Sequence, residues 1–98
     1  MPQIPRLYLA LYDVAEPRRW RKVHAALKAA GAWAQLSAFF CRMTPPERDR
    51  LVRKLISLLD PAKDRLLVID LGPADSAAAR IQTIGGLLLP EEPSVLIL

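Results

Sequence analysis

The sequence predicts an α+β fold with one antiparallel sheet. Two segments, residues 7–12 and 65–71, carry apolar side chains on both faces, which is typical of strands inside a sheet. Two other segments repeat apolar residues at helical spacing behind clear start signals. The 98 residues leave room for one hydrophobic core.

The first strand is predicted at Leu7–Tyr12. Its alternation places three leucines on one face and Tyr8, Ala10 and Tyr12 on the other. Because neither face is polar, we expect a central strand. Asp13 directly follows it.

A helix is predicted to enter at Glu16-Pro17, since proline fits the first helical position. Glu16 is interpreted as a first-turn charge favoured by the helix dipole. The helix ends at Gly31. Its apolar face carries Trp20, Val23, Leu27 and Ala30, and its other face carries five cations: Arg18, Arg19, Arg21, Lys22 and Lys28.

The next segment, Ala32–Met43, is interpreted as two short strands that meet near Ser37, with one bent strand as the alternative. A second helix follows. Thr44 can cap it, Pro45 suits its first position, and Glu47 can reach back to the cap. This helix is predicted to bury Leu51 or Val52, Leu55, Ile56 and Leu59, and to stop at Asp60-Pro61.

The last part of the chain begins with a strand at Arg65–Leu71 that Gly72-Pro73 breaks. Residues 74–86 are predicted to be irregular or a short helical turn, and Ser94–Leu98 a final strand. We therefore divide the chain into a domain at residues 1–72 and a C-terminal extension at 73–98.

The predicted order, β-α-β-β-α-β with an extra C-terminal strand, is the ferredoxin-like arrangement, with both helices on one face of the sheet. The other face is expected to expose Tyr8, Ala10, Tyr12 and the Leu66/Val68 set. A monomer rarely leaves such a patch open, so we expect a homodimer. The final strand is predicted to pair with a sheet edge of the partner subunit.

The charge is unevenly distributed. The net charge of +4 combines +7 over residues 1–65 with −3 over residues 66–98. A basic body indicates a polyanionic partner such as nucleic acid, although solubility alone explains the charge about as well. Without a long apolar run or a cleavable leader pattern, we expect a cytoplasmic protein with no membrane partner. Cys41, the single cysteine, excludes an internal disulfide.

Asp13 is the main candidate for chemistry. A carboxylate at a strand end can bind Mg²⁺, and it can equally cap a turn through backbone amides. The arginines indicate phosphate contact without base readout. Arg18 and Arg19 are favoured for this contact, whereas Arg21 can instead hold Asp13 or its turn.

The ordered set of motifs resembles the CRISPR-associated protein family Cas-two (Cas2). The resemblance rests on Tyr12-Asp13-Val14, on the basic helix that ends at Gly31, and on Gln35-x-Ser37-x-Phe39. It continues through Thr44-Pro45, Asp60-Pro61, the strand LLVIDL, Ile84-Gly85 and the end PEEPSVLIL. It covers nearly the whole chain.

The resemblance implies a homodimer that binds double-stranded DNA, or possibly RNA, and bridges Cas-one-type integrase subunits during spacer acquisition. It implies one Mg²⁺ per dimer, held by Asp13 of both subunits, and a Mg²⁺-dependent endonuclease activity with Asp13 as its catalytic residue. We assign nucleic-acid binding to Arg18, Arg19, Arg21, Lys22 and Arg42. The dimer interface is assigned to Tyr8, Tyr12, Gln35, Ser37 and Phe39.

Phe40 departs from the family pattern, because members commonly carry an acidic residue at this position. The departure removes a possible second carboxylate and weakens the case for catalysis. The alternatives are an active Mg²⁺-dependent nuclease acting on RNA or DNA, a toxin-like nuclease of the same fold, and a regulatory module that binds no nucleic acid.

Overall fold

The structure is a computed structural model that describes residues 4–85. The elements are β1 (Arg6–Asp13), α1 (Pro17–Ala30), β2 (Ala32–Gln35), β3 (Ala38–Met43), α2 (Pro45–Leu58), β4 (Arg65–Pro73) and α3 (Ala74–Ala79). The sheet has the antiparallel order β2-β3-β1-β4, with β1 central as predicted. This order confirms the ferredoxin-like fold, while the predicted strand Ser94–Leu98 lies outside the described residues.

Both long helices begin with side-chain caps. At α2, Thr44 and Glu47 form the predicted capping box. At α1 the cap is Glu16, whose carboxylate accepts the backbone N–H groups of Arg18 and Arg19 at 2.7 and 3.0 Å. Glu16 is therefore the N-cap residue of α1, whereas the sequence analysis placed it in the first turn of the helix. Within residues 4–85, no helix has the length and apolar character needed to cross a membrane.

Gly31 follows α1 with φ −156°, an extended conformation open to any residue. The glycine is required for space. A Cβ at this position would collide with the Phe40 carbonyl oxygen and would lie 2.7 Å from Cys41 Sγ. The end of α1 therefore lies directly on β3.

The core lies between the sheet and the two long helices. Tyr8, Ala10 and Tyr12 of β1 are buried there, and Leu66 and Val68 of β4 pack against the same cluster. The prediction that these residues form the uncovered face is therefore wrong. Both faces of β1 are apolar, and the larger aromatic side chains fill the space beneath α1 and α2.

Among residues 4–85, the opposite face of the sheet is the open one. Leu9 and Leu11 lie on it opposite Ile69 and Leu67, which are 42% and 49% exposed. One end of this face is covered by α3, where Leu7 is buried against Ala74 and Ala77. Residues 74–79 thus form a packed helix. The division of the chain at residue 73 stays a prediction.

Two further details differ from the sequence prediction. Leu55 is buried as predicted, whereas the adjacent Ile56, also expected in the core, is 60% exposed. The strands β2 and β3 do form a hairpin, which decides against one bent strand. Its turn places Leu36 at φ 42°, a left-handed conformation for a residue that is 80% exposed.

Candidate nucleic-acid interface

Asp13 ends β1 at the corner where the chain turns toward α1. Its side chain is exposed and takes part in no ion pair with residues 4–85. In the sheet register, Asp13 stands opposite Arg65, the first residue of β4. Capping at this turn is performed by Glu16, so the carboxylate of Asp13 remains available to a ligand.

The corner after Asp13 is held by Asp64, which lies in the loop before β4. Asp64 accepts the backbone N–H of Ala15 at 2.9 Å and that of Asp60 at 2.8 Å. Arg19 Nε donates to it at 2.8 Å and Nη2 at 3.3 Å. The Asp64 side chain has 0% exposure. The Arg19 guanidinium, followed by the backbone amides, holds the pKa of Asp64 well below its usual range.

The first helix presents a row of cations beside this corner. Arg18, Arg21, Lys22 and Lys28 are exposed and form no ion pair with any described residue. Arg19 differs from them, because its guanidinium is occupied by Asp64. Of the five cations of α1, Arg19 therefore has a structural partner, and the other four can bind an anionic ligand. Arg21 forms no ion pair with Asp13.

Three other arginines have carboxylate partners. Arg6 pairs with Asp70 at 2.9 Å, Arg42 with Asp75 at 2.9 Å and Arg48 with Asp49 at 2.7 Å. The Arg42–Asp75 pair is exposed, with side-chain exposures of 46% and 92%. A pair this open contributes little stability, so it leaves Arg42 able to exchange its partner for a phosphate.

The donor set for a metal ion is small. Within residues 4–85, no group of three or more histidine, cysteine or acidic side chains is arranged to hold one. Mg²⁺ can be held by one or two carboxylates when water and phosphate complete its shell. At this corner, Asp13 is the one carboxylate among residues 4–85 that is exposed and unpaired, because Glu16 and Asp64 already bind backbone amides. The described residues therefore do not fit a self-contained magnesium centre.

The single cysteine, Cys41, is buried, and the single histidine, His24, is half-buried. Burial raises the pKa of the Cys41 thiol to about 11, so the thiolate is scarce at neutral pH. His24 packs in an aromatic cluster, stacked on Trp20 and hydrogen-bonded to Tyr12. These groups support packing and give no catalytic arrangement around Asp13.

The residues assigned to a dimer interface fall into two groups. Tyr8, Tyr12 and Phe39 are 1%, 4% and 0% exposed, so they have little surface to offer a partner. The assignment of Tyr8 and Tyr12 depended on the face of the sheet that proved to be covered. Gln35 is exposed and Ser37 half-buried in the hairpin, and their contact with a second copy stays a prediction.

Sequence analysis missed Asp64 and Arg65 at this corner. Asp64 is 45 residues from Arg19, and no local motif links the two. Arg65 was read only as the start of a strand. The antiparallel pairing of β1 with β4 carries a usable signal, since the residue that begins β4 must lie near the one that ends β1.

The fold and this corner define a small ferredoxin-like protein with an exposed carboxylate and a cationic helix. The family described as "CRISPR associated protein Cas2" matches residues 6–79. The chain belongs to this family.

Two curated relatives cover most of the chain. The CRISPR-associated endoribonuclease Cas2 1 of Rhodospirillum rubrum is 40% identical over 78 residues, which are 80% of this chain and 76% of the relative. The CRISPR-associated endoribonuclease Cas2 of Geobacter sulfurreducens is 33% identical over 79 residues, which are 81% and 83%.

Solved structures share the fold. The hypothetical protein TT1823 of Thermus thermophilus superposes with a TM-score of 0.74 at 30% identity, covering 88% of this chain and 98% of that one. Streptococcus pyogenes Cas2 at pH 6.5 superposes with a TM-score of 0.70 at 27% identity, covering 81% and 99%.

Proposed function

We propose that this protein is a homodimeric adaptor that binds double-stranded DNA in CRISPR spacer acquisition and bridges Cas-one-type integrase subunits. The supporting observation is the cationic face of α1, where Arg18, Arg21 and Lys22 are exposed and have no carboxylate partner among residues 4–85. Arginine binds phosphate oxygens in two-point geometry, and each neutralised phosphate releases counterions. Such a face binds a duplex without reading its bases.

The open face of the sheet supports the dimer. Leu67 and Ile69 are about half exposed beside Leu9 and Leu11, which makes a continuous apolar surface. A second copy packed against this face would remove that surface from water. Two-fold symmetry would then place two copies of the cationic helix in one particle. This surface replaces the one assigned from sequence.

The test is duplex binding measured by fluorescence anisotropy at several salt concentrations. The double variant Arg18→Ala with Lys22→Ala is expected to bind more weakly. Its slope of log affinity against log salt should fall by about two for each chain, because two phosphate contacts are lost. Light scattering should give the same dimer mass for the variant and for the wild type.

The matched control removes two cations from α2, as Arg50→Ala with Lys54→Ala. These residues are also exposed and form no ion pair within residues 4–85. If the two double variants lose affinity equally, net charge is sufficient and the α1 face is not the binding surface. A wild-type chain that stays monomeric, or that ignores DNA at low salt, contradicts the proposal.

A second candidate function is metal-dependent cleavage of RNA or DNA. It is favoured by the accessible carboxylate of Asp13, and both curated relatives are named endoribonucleases. A bound magnesium ion would supply charge neutralisation and an activated water at the phosphodiester. Since Asp13 is the one unengaged carboxylate at this corner among residues 4–85, such a site would draw ligands from a second copy or from the substrate.

Asp13→Asn separates the two functions. An adaptor is expected to retain duplex binding and spacer integration with this variant, because asparagine preserves the size of the side chain. An enzyme that depends on Asp13 is expected to lose cleavage at every magnesium concentration. The readouts are gel analysis of labelled RNA and DNA and an integration assay with the integrase.

A further inference from the structure

We infer that Asp64 is the positioning residue of the proposed nucleic-acid interface: it fixes the turn between Asp13 and α1, and so sets where Arg18 meets a phosphate. This inference rests on the proposed function, because it assumes that α1 binds the ligand. Asp64 does not contact the ligand itself. It acts through Ala15 and Arg19, which bracket the turn.

The geometry supports this role. One carboxylate accepts hydrogen bonds from the turn, through the Ala15 amide, and from α1, through Arg19. It also accepts the Asp60 amide of its own loop. Two regions distant in sequence, residues 15–19 and 60–64, therefore meet on one fully buried side chain. Arg18 is the neighbour of Arg19, so the direction of Arg18 depends on this anchor.

The duplex affinity of a variant without Asp64 shows whether this residue acts through its charge or by positioning Arg18. Losing a carboxylate from a basic surface makes that surface more positive, which strengthens attraction to DNA. It also frees Arg19 as an additional cation. If Asp64 acts only through its charge, duplex affinity will rise. If it positions Arg18, affinity will fall despite the gain in charge.

The experiment compares Asp64→Ala with Asp70→Ala in duplex binding. Asp70 is a suitable control, because it also accepts an arginine and a backbone N–H, from Arg6 and Gly72. It lies opposite Tyr8, whereas Asp13 lies opposite Arg65 at the other end of the β1–β4 pair. We expect about tenfold weaker binding for Asp64→Ala, because a misplaced Arg18 loses a charge-assisted hydrogen bond to phosphate. For Asp70→Ala we expect equal or tighter binding.

A double-mutant cycle with Arg18→Ala distinguishes positioning from general loss of structure. If Asp64 acts through Arg18, its removal will no longer weaken binding once Arg18 is absent, and only the gain in charge will remain. An equal loss of affinity with and without Arg18 overturns the inference. So does tighter binding by Asp64→Ala.

Hydrogen exchange of the Ala15 amide tests the anchor independently of DNA. We expect its exchange in Asp64→Ala to be about tenfold faster, as for a lost bond to a charged acceptor, with the amides of β3 unchanged. If Asp64→Ala does not fold, Asp64→Asn replaces it in the experiment, because asparagine keeps the shape of the side chain and one acceptor oxygen. The exchange of the Ala15 amide is then expected to be faster than in the wild type, by a smaller factor. If the wild-type protein protects the Ala15 amide from exchange but does not bind DNA, the proposed function is refuted. If the wild-type Ala15 amide exchanges freely, the inference that Asp64 fixes this turn is refuted.

Discussion

The Tyr12 hydroxyl and His24 Nδ1 share a hydrogen bond of 2.6 Å between β1 and α1. His24 also stacks on Trp20, with ring centroids 4.6 Å apart and planes inclined by 14°. Burial raises the pKa of Tyr12, so its hydroxyl stays protonated at neutral pH. One polar contact thus completes an otherwise apolar cluster and sets the position of α1 on the sheet.

Tyr12→Phe is expected to destabilise the protein by about 1 kcal/mol, since it removes this hydrogen bond and keeps the ring. Urea unfolding followed by circular dichroism measures the change. Tyr8→Phe is the control, because its ring is equally buried and no hydrogen bond of its hydroxyl is found within residues 4–85. A larger loss in the control would contradict the role given to His24.

The titration of Asp64 is expected to contribute to the loss of stability at acid pH. Its pKa is lowered in the folded chain, chiefly by Arg19, so its stabilisation is complete above the ordinary aspartate pKa of about 3.9. That stabilisation is lost as the pH falls from this value toward the folded pKa. In Asp64→Asn, the uptake of about one proton on unfolding should disappear from this range.

Urea midpoints between neutral pH and acid conditions test this dependence. The limb should be flatter for Asp64→Asn than for wild type. It should not vanish, because the pKa values of Glu16 and Glu47 are also lowered, by the backbone N–H groups that they cap. Parallel curves for variant and wild type would show that Asp64 does not titrate with unfolding.

Gly31→Ala is expected to destabilise the protein by about 1–3 kcal/mol, the usual range for overpacking. The added methyl group would press on the Phe40 carbonyl and on Cys41 Sγ, both in β3. Thermal unfolding measures the effect. Gly85→Ala is a useful comparison, because a Cβ at Gly85 would meet nothing within 4 Å, although φ 77° there adds backbone strain. If Gly31→Ala is neutral, α1 and β3 can separate at small cost.

Leu36→Asn is expected to stabilise the protein by about 1 kcal/mol. Leucine is strained at φ 42°, whereas asparagine tolerates the left-handed region. The exposed leucine side chain contributes little packing, and Trp33 Nε1 donates to the main-chain oxygen of residue 36, which the substitution retains. Leu36→Val, which is β-branched, should be destabilising. A higher midpoint for valine than for asparagine would refute the strain argument.

The sequence was sufficient for the order of the elements from β1 to β4, because each of these elements has a local cause. Thr44 with Glu47 starts α2, and the apolar run at Arg65–Leu71 forms β4. The face of β1 that packs against the helices is not determined by the local sequence. Leu9 and Tyr8 are both apolar, and only packing against Val23 and Leu27 decides which one faces the helices.

The candidate site was predictable in part for the same reason. Asp13 and the cations of α1 are visible from their neighbours along the chain. The ion pair of Arg19 with Asp64 is not, because it depends on how the loop before β4 folds back to α1. Assigning Arg19 to DNA contact followed from its neighbours, and the structure gives its guanidinium to an internal partner.

Arg6, Arg19, Arg42 and Arg48 are each neutralised by an aspartate in the folded chain. These pairs leave the net charge of +4 unchanged, but they concentrate the unpaired positive charge among residues 4–85 on other cations, including Arg18, Arg21 and Lys22 of α1. Replacing one of these aspartates with a neutral residue would leave its arginine unpaired without adding a new cation. The acidic residues, as well as the basic ones, therefore set the ionic-strength range over which this protein binds a polyanion.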